Sequence, residues 1–199
     1  MIHRTILAVA LVAALAGSAI AQAAPDARAR KSDETMAKIR QLDLLNHILP
    51  LLWTRRQIND VLPAIERSRE RVRNIQRLEH DELVAFEKRI DESIENGINK
   101  QAVPPTQLMT ELRALLISFS VRRANAAEEN ANAVLAAMKR SMNEGQLRAA
   151  AGSLDARVQE RGLDTSGWTQ DDRIKYFIKD ILLDPQAYDI LVRLSRIVE

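Results

Sequence analysis

Thr54-Arg55-Arg56-Gln57-Ile58-Asn59-Asp60-Val61-Leu62-Pro63-Ala64-Ile65 is the stretch that decides how this chain folds. Its first four residues form a capping box. The Thr54 hydroxyl accepts from the backbone N–H of Gln57, and the Gln57 side chain reaches back to the N–H of Thr54. Beyond it, Val61, Ile65, Val72, Ile75, Phe86, Ile90 and Ile94 recur at three- and four-residue steps, the period of one helical face. The spacing predicts a helix from Thr54 to Asn96, with Gly97 as its stop. Pro63 lies inside that span. It removes the hydrogen bond to the Asn59 carbonyl and predicts either one bent helix or a short helix followed by a long one.

Working outward, Pro104-Pro105 is a stiff lead-in to a second long helix, Thr106 to about Ser141. Its stripe is Leu108, Leu112, Leu115 and Phe119. Past Phe119 the stripe thins to Ala126, Ala133 and Ala137, small residues that let two helices approach closely. A second capping box, Asn143-Glu144-Gly145-Gln146, opens a short helix with Leu147 and Ala150 that ends at Gly152. Residues 153–168 read as a loop with about one helical turn. Thr169 caps a helix carrying Ile174, Phe177, Ile178 and Ile181. Asp184-Pro185 starts a last helix with Tyr188, Leu191, Leu194 and Val198.

Toward the N-terminus, Ser32 or Asp33 caps a first helix with Met36, Ile39, Leu42, Leu45 and Leu49 on one face. Pro50 predicts a break near Leu49. Residues 1–23 have the form of a secretory signal peptide: Arg4 as the lone charge, an apolar run from Ile6 to Ala16, and small-residue exits at Ala19-Ile20-Ala21 and Ala21-Gln22-Ala23. Cleavage is expected after Ala21 or Ala23. The other reading is a retained anchor, since 20 residues from Thr5 to Ala24 are just enough to span a bilayer. Residues 24–31 read as a flexible leader.

The fold expected is all-α: a long bent helical hairpin over 32–152, with short flanking helices and a two-helix C-terminal extension over 153–199. Aromatics make up only 4% of the chain and there are six glycines, which favours helices over strands. The absence of cysteine excludes disulfides, so packing alone must hold the fold. Lys and Arg number 29 against 27 acids, and loss of Arg4 with the leader lowers the basic count to 28. A balance this even gives no general attraction to nucleic acid or to anionic membrane. An export signal also argues against ATP-driven chemistry, and after cleavage no stable membrane insertion is expected.

Few residues point to chemistry. His47 has Asp43 one turn before it, which makes a two-ligand metal half-site. His80 sits in Glu79-His80-Asp81-Glu82, whose members point in different directions around a helix. No catalytic constellation and no phosphate-cradling loop is present, so neither catalysis nor a cofactor is expected. The densest charge is the run Arg67, Arg69, Arg71, Arg73, Arg77. Arg69, Arg73 and Arg77, four apart, form one ridge. It reads either as a solvated face bridged to Glu66, Glu70 and Glu79, or as a docking ridge for other proteins, because Arg stems cover apolar surface while their heads stay wet. Asn125, Asn130 and Asn132 read as surface positions, with a polar place in a helix seam as the alternative.

The two starts Trp53-Thr54-Arg55-Arg56-Gln57 and Met142-Asn143-Glu144-Gly145-Gln146, flanking a helical hairpin behind an export signal, resemble the Leu-Thr-x-x-Gln repeats of the Spy/CpxP family of periplasmic helical proteins. Trp53 stands in place of Leu, and Met142-Asn143 in place of Leu-Thr. The resemblance covers residues 33–152 and carries over Thr54, Gln57, Asn143 and Gln146 as structural motif residues. It implies a bent hairpin, often paired as a homodimer, with ATP-independent chaperoning, envelope-stress signalling or metal sensing. The expectation is a periplasmic, non-catalytic protein that binds unfolded clients or an envelope sensor. The alternatives are a metal-binding sensor using His47 and Asp43, and a purely structural envelope protein.

Overall fold

The computed structural model describes residues 27–199, and the expected signal peptide and the start of the leader lie outside them. The described residues are all-α, with no strand among them. The helices are α1 (Ala27–Ile48), α2 (Arg55–Lys100), α3 (Thr106–Ser141), α4 (Glu144–Gly152), α5 (Asp155–Glu160), α6 (Gln170–Phe177) and α7 (Pro185–Leu194). The chain divides into two units, one ending at Arg40 and one covering Gln41–Glu199.

Helix α1 starts earlier than its caps predict, so Ala27–Lys31 is helical rather than a flexible leader. Its expected stripe is not its buried face. Met36, Ile39, Leu42 and Leu49 are all exposed, Leu45 is half-buried, and the fully buried positions are Leu44 and Ile48. The break at Pro50 is present as a single tight turn over Leu49–Leu51. Leu52 follows with φ +49°, a left-handed conformation, and Trp53 after it is buried in the core.

Helix α2 opens on the expected capping box and runs unbroken through Pro63, which faces solvent. It also passes Gly97 and ends only at Gln101, whose φ of +54° makes the left-handed cap that glycine was expected to supply. The backbone N–H of Ala102 closes that cap on the Asn96 carbonyl at 3.2 Å. Helix α3 has the predicted bounds, and α4, α6 and α7 start at Asn143, Thr169 and Asp184 as their capping signals require.

One core joins elements far apart in sequence. It takes Leu44, Ile48 and Leu51 from around the first turn, Ile58, Val61 and Ile65 from the start of α2, and Ala131, Val134 and Met138 from the end of α3. Residues 153–199 are not an appendage to it. Ile174, Phe177, Ile178, Ile181 and Leu182 follow steps of three, four, seven and eight residues and are all fully buried in that same core. The backbone widens to a π turn over Ile178–Leu182, and Leu191 of α7 packs on the same cluster. The C-terminus is tied back to α2: the Arg55 N–H donates to the Glu199 carbonyl at 3.1 Å, and Arg55 Nε donates to the Val198 carbonyl at 3.1 Å.

Past Ile65, α2 continues to Lys100, a further ~50 Å at 1.5 Å per residue. Helix α3 returns alongside it. This outer hairpin has no core of its own. Leu108 and Phe119 are buried between the two helices, but Val72 and Ile94 of the expected α2 stripe are exposed. Two helices alone cannot enclose both stripes, because each helix covers only one side of the other.

Phe177→Ala should cost about 3–5 kcal/mol of unfolding free energy, as large-to-small changes in a closed core do. Ile117→Ala on the outer hairpin should change it by less than about 0.5 kcal/mol. Urea midpoints of the two variants check both values.

Candidate functional site

The two capping boxes meet face to face. Gln57 Nε2 donates to Gln146 Oε1 at 2.9 Å, and Gln146 Nε2 donates to Gln57 Oε1 at 3.0 Å. Gln57 Nε2 also reaches the Ser141 carbonyl at 3.0 Å, and Gln146 Nε2 the Leu51 carbonyl at 2.8 Å. Thr54 and Asn143 complete the boxes by accepting from the N–H groups of Gln57 and Gln146 at 3.3 and 2.9 Å. The four motif residues therefore link the starts of α2 and α4 to the turn before α2 and the end of α3. Each hydrogen bond contributes about 1 kcal/mol net. Together they fix the angle at which the hairpin leaves the base.

The arginine ridge is split by its partners. Glu66 accepts from Arg69 at 3.3 Å and from Arg73 at 2.8 Å, as the solvated-face reading requires. Arg77 turns to Asn74 instead. Glu79 does not join the ridge. It is 2% exposed, on the α3 side of α2, and accepts from Arg123 Nε at 2.8 Å. Arg69 is further fixed by Tyr188 of α7, with its guanidinium carbon 4.3 Å from the ring centroid.

Arg69 and Arg73 line a cleft of about 700 Å³, and Arg77 does not. The cleft lies between α2, α3 and the turn into α7. Its apolar wall is Val72, Ile75, Ala126, Ala127, Leu183 and Pro185, and Arg123 and Lys179 add two further cations. Asn130, expected at the surface, is buried at 2% exposure in the α2–α3 seam, where it accepts from Arg71 and donates weakly to the Ser68 carbonyl at 3.5 Å. Asn125 and Asn132 are exposed, as the surface reading has them.

Sequence reasoning missed what holds the outer hairpin together. Arg71 meets Glu129 at 3.6 Å, Glu82 takes a forked pair from Arg122 at 2.9 and 3.2 Å, and Arg89 reaches Glu111 at 2.6 Å. With Glu79–Arg123 these are four rungs between antiparallel helices. Only knowledge of the α2–α3 register could have paired them. Between the rungs and beyond the last of them, large apolar side chains face water. On α2 these are Leu78, Leu83, Val84, Ile94 and Ile98, and on α3 Met109, Leu116, Ile117 and Val121, with exposures from 41% to 75%.

His47 and Asp43 are brought together, 3.6 Å apart, but a cation already fills the gap. Arg157 of α5 donates to Asp43 Oδ1 at 2.6 Å, lies 3.2 Å from His47 Nε2, and also pairs with Asp180. Among the described residues no three His, Asp or Glu side chains are grouped to hold a metal ion. His80 is exposed on α2. Burial and the Arg157 guanidinium push the His47 pKa below its ordinary value, against a smaller opposing pull from Asp43. Burial pushes the Asp180 carboxyl up, but the hydrogen bond and charge of Arg157, with Arg161, hold it below the usual range.

His47 takes up a proton less readily in the folded chain than when unfolded, so stability declines as pH falls below 6.5. The urea midpoint should drop between about pH 7.5 and about pH 5.5. His47→Gln should flatten that drop, and parallel slopes for the two chains would contradict the assignment. Among the described residues no helix is long and apolar enough to cross a membrane. Comparison of the chain with protein-family models, with curated proteins and with solved structures finds no match in any of the three.

Proposed function

We propose that this is a non-catalytic periplasmic protein that binds other proteins through its outer hairpin, as an ATP-independent chaperone or an envelope-stress adaptor. One observation carries the reading: two paired helices extend far beyond the core and present large apolar side chains to water on more than one flank. Soluble monomers seldom leave large apolar patches uncovered unless they bind something. Met109 and Leu116, seven residues apart, share one flank of α3, and Ile117 and Val121, four apart, share another. Such a surface suits partly unfolded chains, which offer apolar segments without a fixed shape.

The paired Thr54–Gln57 and Asn143–Gln146 motifs and the export signal also support this reading through their resemblance to Spy/CpxP proteins. The metal-sensor alternative is less favoured, because the Arg157 guanidinium fills the gap between His47 and Asp43.

The test is light scattering from an aggregating client without ATP. The wild-type chain should suppress scattering at several-fold excess. A Leu116→Ser, Ile117→Ser chain should suppress it far less while keeping its helical circular dichroism and its urea midpoint, because neither residue belongs to the core. Failure of the wild type to suppress scattering, or equal suppression by both chains, contradicts the proposal.

A further inference from the structure

We infer that the cleft between α2, α3 and the start of α7 binds a single-chain anionic amphiphile, a long-chain fatty acid held by its carboxylate. The inference goes beyond the protein-binding reading and rests on the root of the hairpin beside α7, away from the exposed side chains between Leu78 and Val121.

Size comes first. At about 700 Å³ the cleft lies within the range of small-ligand sites. A docked helix 10 Å across and three turns long would fill about 1,300 Å³, so the space is too small to enclose one. Lining comes second. Val72, Ile75, Leu183 and Pro185 form an apolar wall, and Ala126 and Ala127 leave room where larger side chains would close it. An alkyl chain laid there gains about 0.8 kcal/mol for each methylene it buries.

Charge selects the head group. Four cations line the cleft, and no lining residue is acidic. Three carboxylates bond those cations from outside the lining: Glu66 serves both Arg69 and Arg73, Glu79 serves Arg123, and Glu128 meets Lys179 at 2.6 Å. Four positive charges against three negative leave one unmatched, and Glu128 is further shared with Lys175 at 3.0 Å. A carboxylate head group offsets part of that excess. Arg69, stacked on Tyr188, is already held in place, so binding need not order it. Asn130 is buried in the wall, and its amide Nδ2 reaches only the Ser68 carbonyl at 3.5 Å, so a donor remains for a ligand oxygen.

The experiment is a fluorescence titration with cis-parinaric acid, a polyene fatty acid, kept below micelle formation. The protein is the Leu116→Ser, Ile117→Ser chain, so that the outer hairpin does not supply the signal. Saturable one-to-one binding is expected. Arg73→Glu with Lys179→Glu should weaken it at least tenfold, and both residues sit at the solvent edge, so the fold should survive. Ala127→Trp, at an exposed lining position, should block the cleft to a similar degree. The methyl ester of the same acid should bind at least tenfold more weakly than the free acid. The inference is overturned by no saturable binding, by equal binding of acid and ester, by insensitivity to the charge reversals, or by an acidic amphipathic peptide binding the cleft while the fatty acid does not. Because aggregation suppression uses the exposed side chains between Leu78 and Val121, the cleft variants should leave it unchanged, and the two proposals can fail separately.

Discussion

Every residue of the main core lies between Leu44 and Ile65 or between Ala131 and Leu191. The rest of the structure follows from that limit. Apolar burial is the largest favourable contribution to folding, and here it is confined to a base in which the end of α1, the start of α2, the end of α3 and the C-terminal helices meet. Outward of the Arg69–Tyr188 and Glu128–Lys179 contacts, the two long helices pair with each other. Burial there is limited to a thin seam at Leu108, Phe119 and Ala126, reinforced by the rungs from Arg71–Glu129 to Arg89–Glu111. Exposed ion pairs contribute little each, typically about 0–1 kcal/mol. The outer hairpin is therefore carried by a stable base without adding much to its stability.

The junction between the two regions is polar. The reciprocal side-chain hydrogen bonds of Gln57 and Gln146 sit where the hairpin helices enter and leave the base, and both amides also donate to the Ser141 and Leu51 carbonyls. A purely apolar joint could slide. A network of directed hydrogen bonds has one geometry that satisfies all its members. Arg157 does the corresponding work between α1, α5 and the π turn after α6, joining Asp43 to Asp180 beside His47. A pair of residues that reads in sequence as half of a metal site is thereby part of an internal strut.

Local signals in the sequence were reliable where local chemistry decides. Thr54, Asn143, Thr169 and Asp184 each cap the helix they were expected to cap, and the steps of Ile174, Phe177, Ile178 and Ile181 mark a buried face. The failures have tertiary causes. Met36, Ile39, Leu42 and Leu49 have the right spacing but lie off the face that Leu44 and Ile48 turn to the core. Gly97 yields the helix end to Gln101 because the chain turns at Ala102, not because glycine is needed there. The placement of Arg69 and Arg73 on a cleft, and of Asn130 and Glu79 in the seam, depends on α3 and on the turn into α7. No spacing along α2 contains that information.

On the proposed reading, a firm base with an uncovered two-helix extension separates folding from binding: side chains that face solvent between Leu78 and Val121 meet a partner without disturbing the core. Backbone hydrogen exchange with and without a reduced, permanently unfolded client protein tests this most directly. The account predicts that exchange in the base, over Ile58–Ile65 and Ala131–Met138, is slow and unchanged by the client, while protection rises between Leu78 and Val121. Protection gained in the base, or no gain anywhere at saturating client, would contradict it.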